Sequence, residues 1–378
     1  MDNNAVDLYR SLGVNTVVNA AGPISIYGGG RSRPEVIEAM VTAFPAAVQI
    51  NELNLRAGEI IADILGVEAA FVSSGAAGGL VLQAAACIVG KDENLMSRLP
   101  DSTGLNNEII IQACQRFGYE QSYRVGGGRL VDAGEIDRCS PQQLVESFSD
   151  KTAAAAYLFA AHASKNAVPF DRFCEIAHSR GVPVIVDSAN FLPPRANMSR
   201  FIREGADMVV FSGGKAVRGP QGAGVLLGRP DLIEAARANA SPNHFVARSM
   251  KVSKEEIIGL ITAIKVFMNE DEELENARYA EMCQSAVDVL KDIPGLKVSV
   301  EHDELDYLIP TTVIKFEEDW GGFTPTEILS ALSAGQPPVF VRTLAYPGEI
   351  GIDPMNLDDD ALDIAVRRVR EVLLDGNR

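Results

Sequence analysis

Basic charge is scarce in this chain: its 378 residues hold 34 lysines and arginines against 51 aspartates and glutamates, a formal net charge of -17. Binding a polyanion needs a basic surface, so neither nucleic acid nor an anionic membrane is expected as a partner. Cysteine is also sparse. Cys87, Cys114, Cys139, Cys174 and Cys283 are odd in number, widely spaced and without a C-x-x-C pair, which suggests neither a disulfide framework nor a zinc site and fits a reducing, cytoplasmic setting. No apolar run approaches the roughly 18 residues that a membrane span requires. The segment MDNNAVDLYRSLG lacks the basic-then-apolar order of an export signal. Neither G-x-G-x-x-G nor G-x-x-x-x-G-K-[ST] occurs, so two glycine-rich nucleotide signatures are missing. Internal repeats and low-complexity tracts are absent as well.

What the chain does contain is ordinary globular composition, 47% hydrophobic and 22% charged, with 33 glycines. From about residue 54 to 230, helical spacing alternates with short apolar runs: AAFVS (69–73), AAAAYLF (153–159), PVIVD (183–187), DMVVF (207–211) and GAGVLLG (222–228). Runs of this kind bounded by Gly and Pro are what strands buried on both faces look like, so the expected class is α/β with a mostly parallel sheet. After residue 250 the texture changes. Residues 253–293 read as one long amphipathic helix opened by a capping box of Ser253 and Glu256, and it leads to candidate strands 297–302, 311–316 and 338–342 and a closing helix 357–374. The expected organisation is an N-terminal segment 1–35, a large domain 36–252 and a smaller α+β domain 253–378.

Ligands of open parallel sheets collect at the carboxyl ends of the strands. The residues that follow the apolar runs are therefore the informative ones. SSGAAGG (73–79) puts small residues at a strand-to-helix turn, where free N–H groups can cradle a phosphate, or where a serine simply caps the helix. Asp187 closes a buried strand, where its charge needs a cation or donors, although a turn-capping role fits an isolated Asp. Lys215 lies in FSGGKAVRGPQGAGVLLG (211–228) among glycines. There it can be a solvated surface charge, or an amine that reaches a cofactor aldehyde and forms a Schiff base. Together, phosphate turn, Asp and Lys stand in the chain order that pyridoxal 5'-phosphate would need.

DSANFLPP (187–194) and GADMVVFSGGKAVRGPQGAGVLLGRPDLIEAA (205–236), with VVNAAGPISIYGGGRSRPEV (17–36), resemble the selenocysteine synthase-like family of pyridoxal-phosphate enzymes. The likeness covers most of the chain. It implies the aspartate aminotransferase-like fold, or fold type I, with Lys215 as the Schiff-base lysine and Asp187 as partner of the ring nitrogen. Ser74, Gly75, Ala76 and Ser212 would surround the phosphate. His162 is a candidate to stack on the ring, and Asn190 to donate to its phenolic oxygen. Arg342 is placed to grip a substrate carboxylate, and Arg33 and Arg31 to approach the site or a neighbouring subunit. The resemblance favours an ammonia-lyase type of α,β-elimination on an amino acid or amino-sugar acid. Alternatives are an aminotransferase, a racemase or aldolase, and a cofactor-binding module without activity. Selenium transfer on seryl-tRNA fits poorly with the acidic charge. Fold type I sites usually form between subunits, so a homodimer or a higher even oligomer is expected.

Overall fold

The computed structural model describes residues 3–160, 165–343 and 348–376. They divide into a larger unit, Ser32–Asn269, and a smaller one made of Met1–Arg31 with Glu270–Arg378. In chain order the strands are β1 (Val18–Ala20), β2 (Ala69–Ser74), β3 (Glu108–Gln112), β4 (Arg129–Ala133), β5 (Thr152–Leu158), β6 (Val184–Asp187), β7 (Met208–Ser212), β8 (Ala223–Gly228), β9 (Leu296–Glu301), β10 (Thr311–Phe316), β11 (Val339–Thr343) and β12 (Glu349–Ile352).

The larger unit is built on a seven-stranded sheet in the order β2-β8-β7-β6-β5-β3-β4. Only β8 is reversed: it runs antiparallel to β2 and β7, and the remaining neighbours are parallel. The apolar runs are continuous because both faces are covered. Even-numbered residues of β7, Met208 and Val210, pack with Leu80, Leu226 and Ile233 under the helices Gly75–Val89 and Pro230–Asn239. Phe211 turns to the opposite face, into an aromatic cluster with Phe201, Phe159, Tyr157 and Phe170. This is the period-two alternation of a strand expressed as two cores.

Two expectations about organisation change. The helix expected over 253–293 is two helices, Lys254–Asn269 and Glu272–Leu290. Asp271 caps the second, its carboxylate accepting from the N–H groups of Glu273 and Leu274 at 3.0 and 3.1 Å, the interaction that makes aspartate a strong helix starter. The first retains its capping box, in which Glu256 N–H donates to Ser253 Oγ and Ser253 N–H to Glu256 Oε2. This first helix packs on the helices Pro34–Ala43 and Ile50–Leu65, so the boundary falls after Asn269 rather than after residue 252.

The N-terminal segment up to Arg31 belongs to the smaller unit because β1 pairs in parallel with β11. That unit's sheet has the order β1-β11-β12-β10-β9 and is otherwise antiparallel, with the helices Glu272–Leu290, Pro325–Ser333 and Asp359–Gly376 against it. Among the described residues no helix is long and apolar enough to cross a membrane.

Candidate active site

Sheet register brings the phosphate turn, the aspartate and the lysine loop to one edge. Ser73 of β2 lies beside Gly224 of β8, and Gly224 beside Ser212 of β7. Asp187 closes β6 opposite Val210, and Leu158 closes β5 opposite Asp187. Segments far apart in sequence thus meet where the parallel strands end.

The turn after β2 is open for a ligand. Ser74 precedes the helix Gly75–Val89, yet its side chain makes no capping bond, and the Ser73 hydroxyl donates to Gly75 O at 2.8 Å instead. The first N–H groups of that helix therefore lack the usual serine cap and stand at its positive end. Gly75 has φ +60, and open space surrounds the place a Cβ would occupy. Behind the turn the packing is tight: a Cβ on Gly224 would sit 2.6 Å from Gly75 O and 2.8 Å from Ala76 N. One on Gly79 would sit 2.5 Å from Val210 Cγ2. A cleft of about 410 Å³ opens beside the turn, lined by Ser74, Gly78, Tyr119, Ser122 and Met250 among others. An uncapped helix start backed onto a glycine strand fits a phosphate.

The glycines around Lys215 serve closure of its loop. A Cβ on Gly213 would fall 2.8 Å from Ala223 O, and one on Gly214 2.6 Å from Gln221 Cα. The loop closes through Gly213 N–H to Ala223 O at 2.9 Å, Gly219 N–H to Gly213 O at 2.8 Å and Arg218 N–H to Lys215 O at 2.8 Å. Arg218 has φ +57, the one left-handed non-glycine residue among those described, a conformation that costs about 1–3 kcal/mol. Lys215 is half-buried. Arg33, expected to approach the site or a neighbouring subunit, is 4% exposed, and its Nη1 donates to Val217 O at 2.7 Å. It anchors the lysine loop from the start of the helix Pro34–Ala43.

Asp187 is buried and accepts from Ala189 N–H at 3.0 Å. Burial raises its pKa above the ordinary carboxylate value, while the Ala189 bond and the charge of Lys215 pull it back. Such a carboxyl is completed by a cation. Ser212 is half-buried at the end of β7, and Asn190 is exposed in the turn after Asp187. His162 lies outside the described residues. In the smaller unit, Arg342 on β11 holds its Nη1 3.6 Å from Oδ2 of the buried Asp353, whose pKa burial raises and the Arg342 charge lowers. Arg31 also lies there, paired with Asp358 at 3.0 Å. Gly224 is the site residue that sequence inspection overlooks, although a glycine inside a strand run is a known sign of close backbone approach.

A phosphate cradle, a buried carboxylate and a half-buried lysine on one sheet edge match the phosphate, the ring nitrogen and the aldehyde of pyridoxal phosphate. The aminotransferase class-V family matches residues 103–319. The chain belongs to that family and is a pyridoxal-phosphate-dependent enzyme of fold type I. It is 32% identical to a 5'-C-glycyluridine monooxygenase-decarboxylase of a Streptomyces species, over 97% of this chain and 92% of that one. It is 28% identical to D-glucosaminate-6-phosphate ammonia lyase of Salmonella typhimurium, over 97% of this chain and 98% of the relative. A solved structure of D-glucosaminate-6-phosphate ammonia-lyase superposes with a TM-score of 0.84, covering 98% of this chain and 99% of the other. The selenocysteine synthase-like resemblance therefore holds along nearly the whole length.

Proposed function

We propose that this protein is an ammonia-lyase that removes a β substituent and the amino group from an amino acid or amino-sugar acid, leaving a 2-oxo acid and ammonia. The near-full-length match to D-glucosaminate-6-phosphate ammonia-lyase, in sequence and in structure, carries this reading. Pyridoxal phosphate, when bound, supplies a sink for the electron pair released at the substrate α carbon.

The chain's own residues do the rest. Backbone N–H groups of Gly75 and Ala76, with the hydroxyls of Ser74 and Ser212, bind the phosphate. Asp187 faces the ring nitrogen and holds a proton on it. Lys215 Nζ would hold the cofactor through its aldehyde and, when free, would accept the substrate α proton and return a proton to the leaving group. The α C–H bond breaks first. The freed electron pair forms a double bond to the β carbon as the β substituent leaves with its own pair; the released enamine takes a proton at the β carbon, and water then displaces its nitrogen as ammonia. Arg342 is assigned to a substrate carboxylate and Asn190 to the phenolic oxygen of the cofactor. The working form is a homodimer or a larger even assembly in the cytoplasm.

The test is a panel of β-hydroxy amino acids and amino-sugar acids, with and without phosphate, assayed for ammonia and 2-oxo acid. Equal release of the two supports elimination. Conversion of the cofactor to its pyridoxamine form by an amino donor, without ammonia, would identify an aminotransferase instead. The Streptomyces relative motivates a second reading, oxidative decarboxylation, which oxygen uptake together with carbon dioxide release would reveal.

A further inference from the structure

Tyr123, on the helix Gln121–Val125, is 3% exposed, and its hydroxyl has no hydrogen-bond partner among the described residues. Leaving a buried hydroxyl unsatisfied costs about 1–3 kcal/mol, so an orphan of this kind calls for a physical reason. Tyr123 and Asp187 line the same small cavity, of about 10 Å³, together with Gln115, Glu120 and Tyr157. Gln115 is engaged on both sides, its Nε2 donating to Leu158 O at 3.1 Å and its Oε1 accepting from Leu158 N–H at 3.2 Å. Glu120 is paired with Arg116 at 2.5 Å. The space is at the lower limit for a single water. Burial, and after it the charge of Asp187, push the Tyr123 hydroxyl well above its ordinary pKa. At neutral pH it is therefore a donor.

We propose that Tyr123 is a positioning residue for Asp187: its hydroxyl donates, by way of one water in the shared cavity, to the carboxylate that faces the cofactor ring nitrogen. The inference rests on the role given to Asp187 above. A donor on the far side of the carboxylate fixes the plane in which it meets the ring and favours its ionised form. The fold of the larger unit supplies this donor from the helix following β3, an element that carries none of the family motif.

The experiment is a double-mutant cycle on full-length protein stripped of cofactor and titrated with pyridoxal phosphate, using Tyr123→Phe, Asp187→Asn and the pair. Tyr123→Phe is expected to weaken binding roughly 3- to 10-fold, the size of one net hydrogen bond, and to move the absorption maximum of the bound cofactor. In the Asp187→Asn background the same change should do neither. Equal weakening in both backgrounds, or none with Asp187 intact, overturns the proposal. If Asp187→Asn alone binds like the wild type, the assigned role of Asp187 fails and this inference with it. A crystal structure of the holoenzyme checks the geometry independently of any variant. A water bonded to both Tyr123 Oη and Asp187 supports the proposal, and a dry cavity refutes it.

Discussion

Replacing Gly224 with alanine puts one methyl group into the floor of the phosphate turn. The new Cβ would stand 2.6 Å from Gly75 O, about 0.8 Å short of the 3.4 Å at which ordinary contact begins. Both nearby groups, Gly75 O and Ala76 N, are backbone and cannot rotate away. Nor can β8 slide, because Gly224 is held in register between Ser73 and Ser212. The turn itself must rise. Overpacking of this kind costs about 1–3 kcal/mol; expressed wholly as lost cofactor affinity, that is roughly 5- to 150-fold. The assay is titration of the cofactor-free protein with pyridoxal phosphate and, separately, with pyridoxal, which lacks the phosphate. Gly224→Ala should lose affinity for the first in that range and much less for the second. A folded variant that binds pyridoxal phosphate as tightly as the wild type, or loses both ligands equally, refutes the assignment of this turn to the phosphate.

Lys215→Ala should still bind the cofactor but should no longer be labelled by it on borohydride reduction, and turnover should fall at least about 10²- to 10⁴-fold with loss of the proton carrier; labelling at another lysine would count against the site. For Asp187, burial raises the folded-state pKa above the ordinary 3.8, so the folded cofactor-free chain holds a proton that the unfolded chain has already released. Stability of that form therefore falls as pH rises from about 4 through the raised value, and stays lower above it. Asp187→Asn removes this penalty. The variant without cofactor should melt higher than the wild type at pH 7, show a smaller difference near pH 4, and bind the cofactor poorly; a melting temperature lower than wild type at pH 7 would contradict the assignment. Arg33→Met deprives Val217 O of its donor inside the protein, a loss of about 1–3 kcal/mol. It should lower the melting temperature and slow reductive labelling of Lys215, whereas unchanged stability would show that the loop does not depend on this anchor.

Five of the seven strands of the large sheet are legible as apolar runs, since strands buried on both faces need no partner to declare themselves. β4 is harder to see: it is an edge strand of half-exposed composition, RLVDA, without a clear period. β1, of three residues, becomes a strand only by pairing with β11. The break between the helices Lys254–Asn269 and Glu272–Leu290 sits in an acidic stretch that remains compatible with helix until the Asp271 cap forms. In the candidate site, Asp187 and the SSGAAGG turn are conspicuous because they lie at the ends of strand runs, and Lys215 because it stands three residues beyond one. Tyr123 gives no such signal.

By itself the sequence determined the α/β class, the acidic surface, and a cofactor chemistry that needs a phosphate turn, a buried acid and an amine in that order. These are local properties, set by composition, periodicity and the residues next to strand ends. Only the tertiary structure decided that Gly224 is the floor of the turn, that Arg33 braces the lysine loop across 184 positions of chain, and that Tyr123 shares a cavity with Asp187. Those roles are contacts between distant segments. Their physical reason is close packing at the carboxyl edge of one sheet, where strand register, rather than sequence neighbourhood, sets which groups meet.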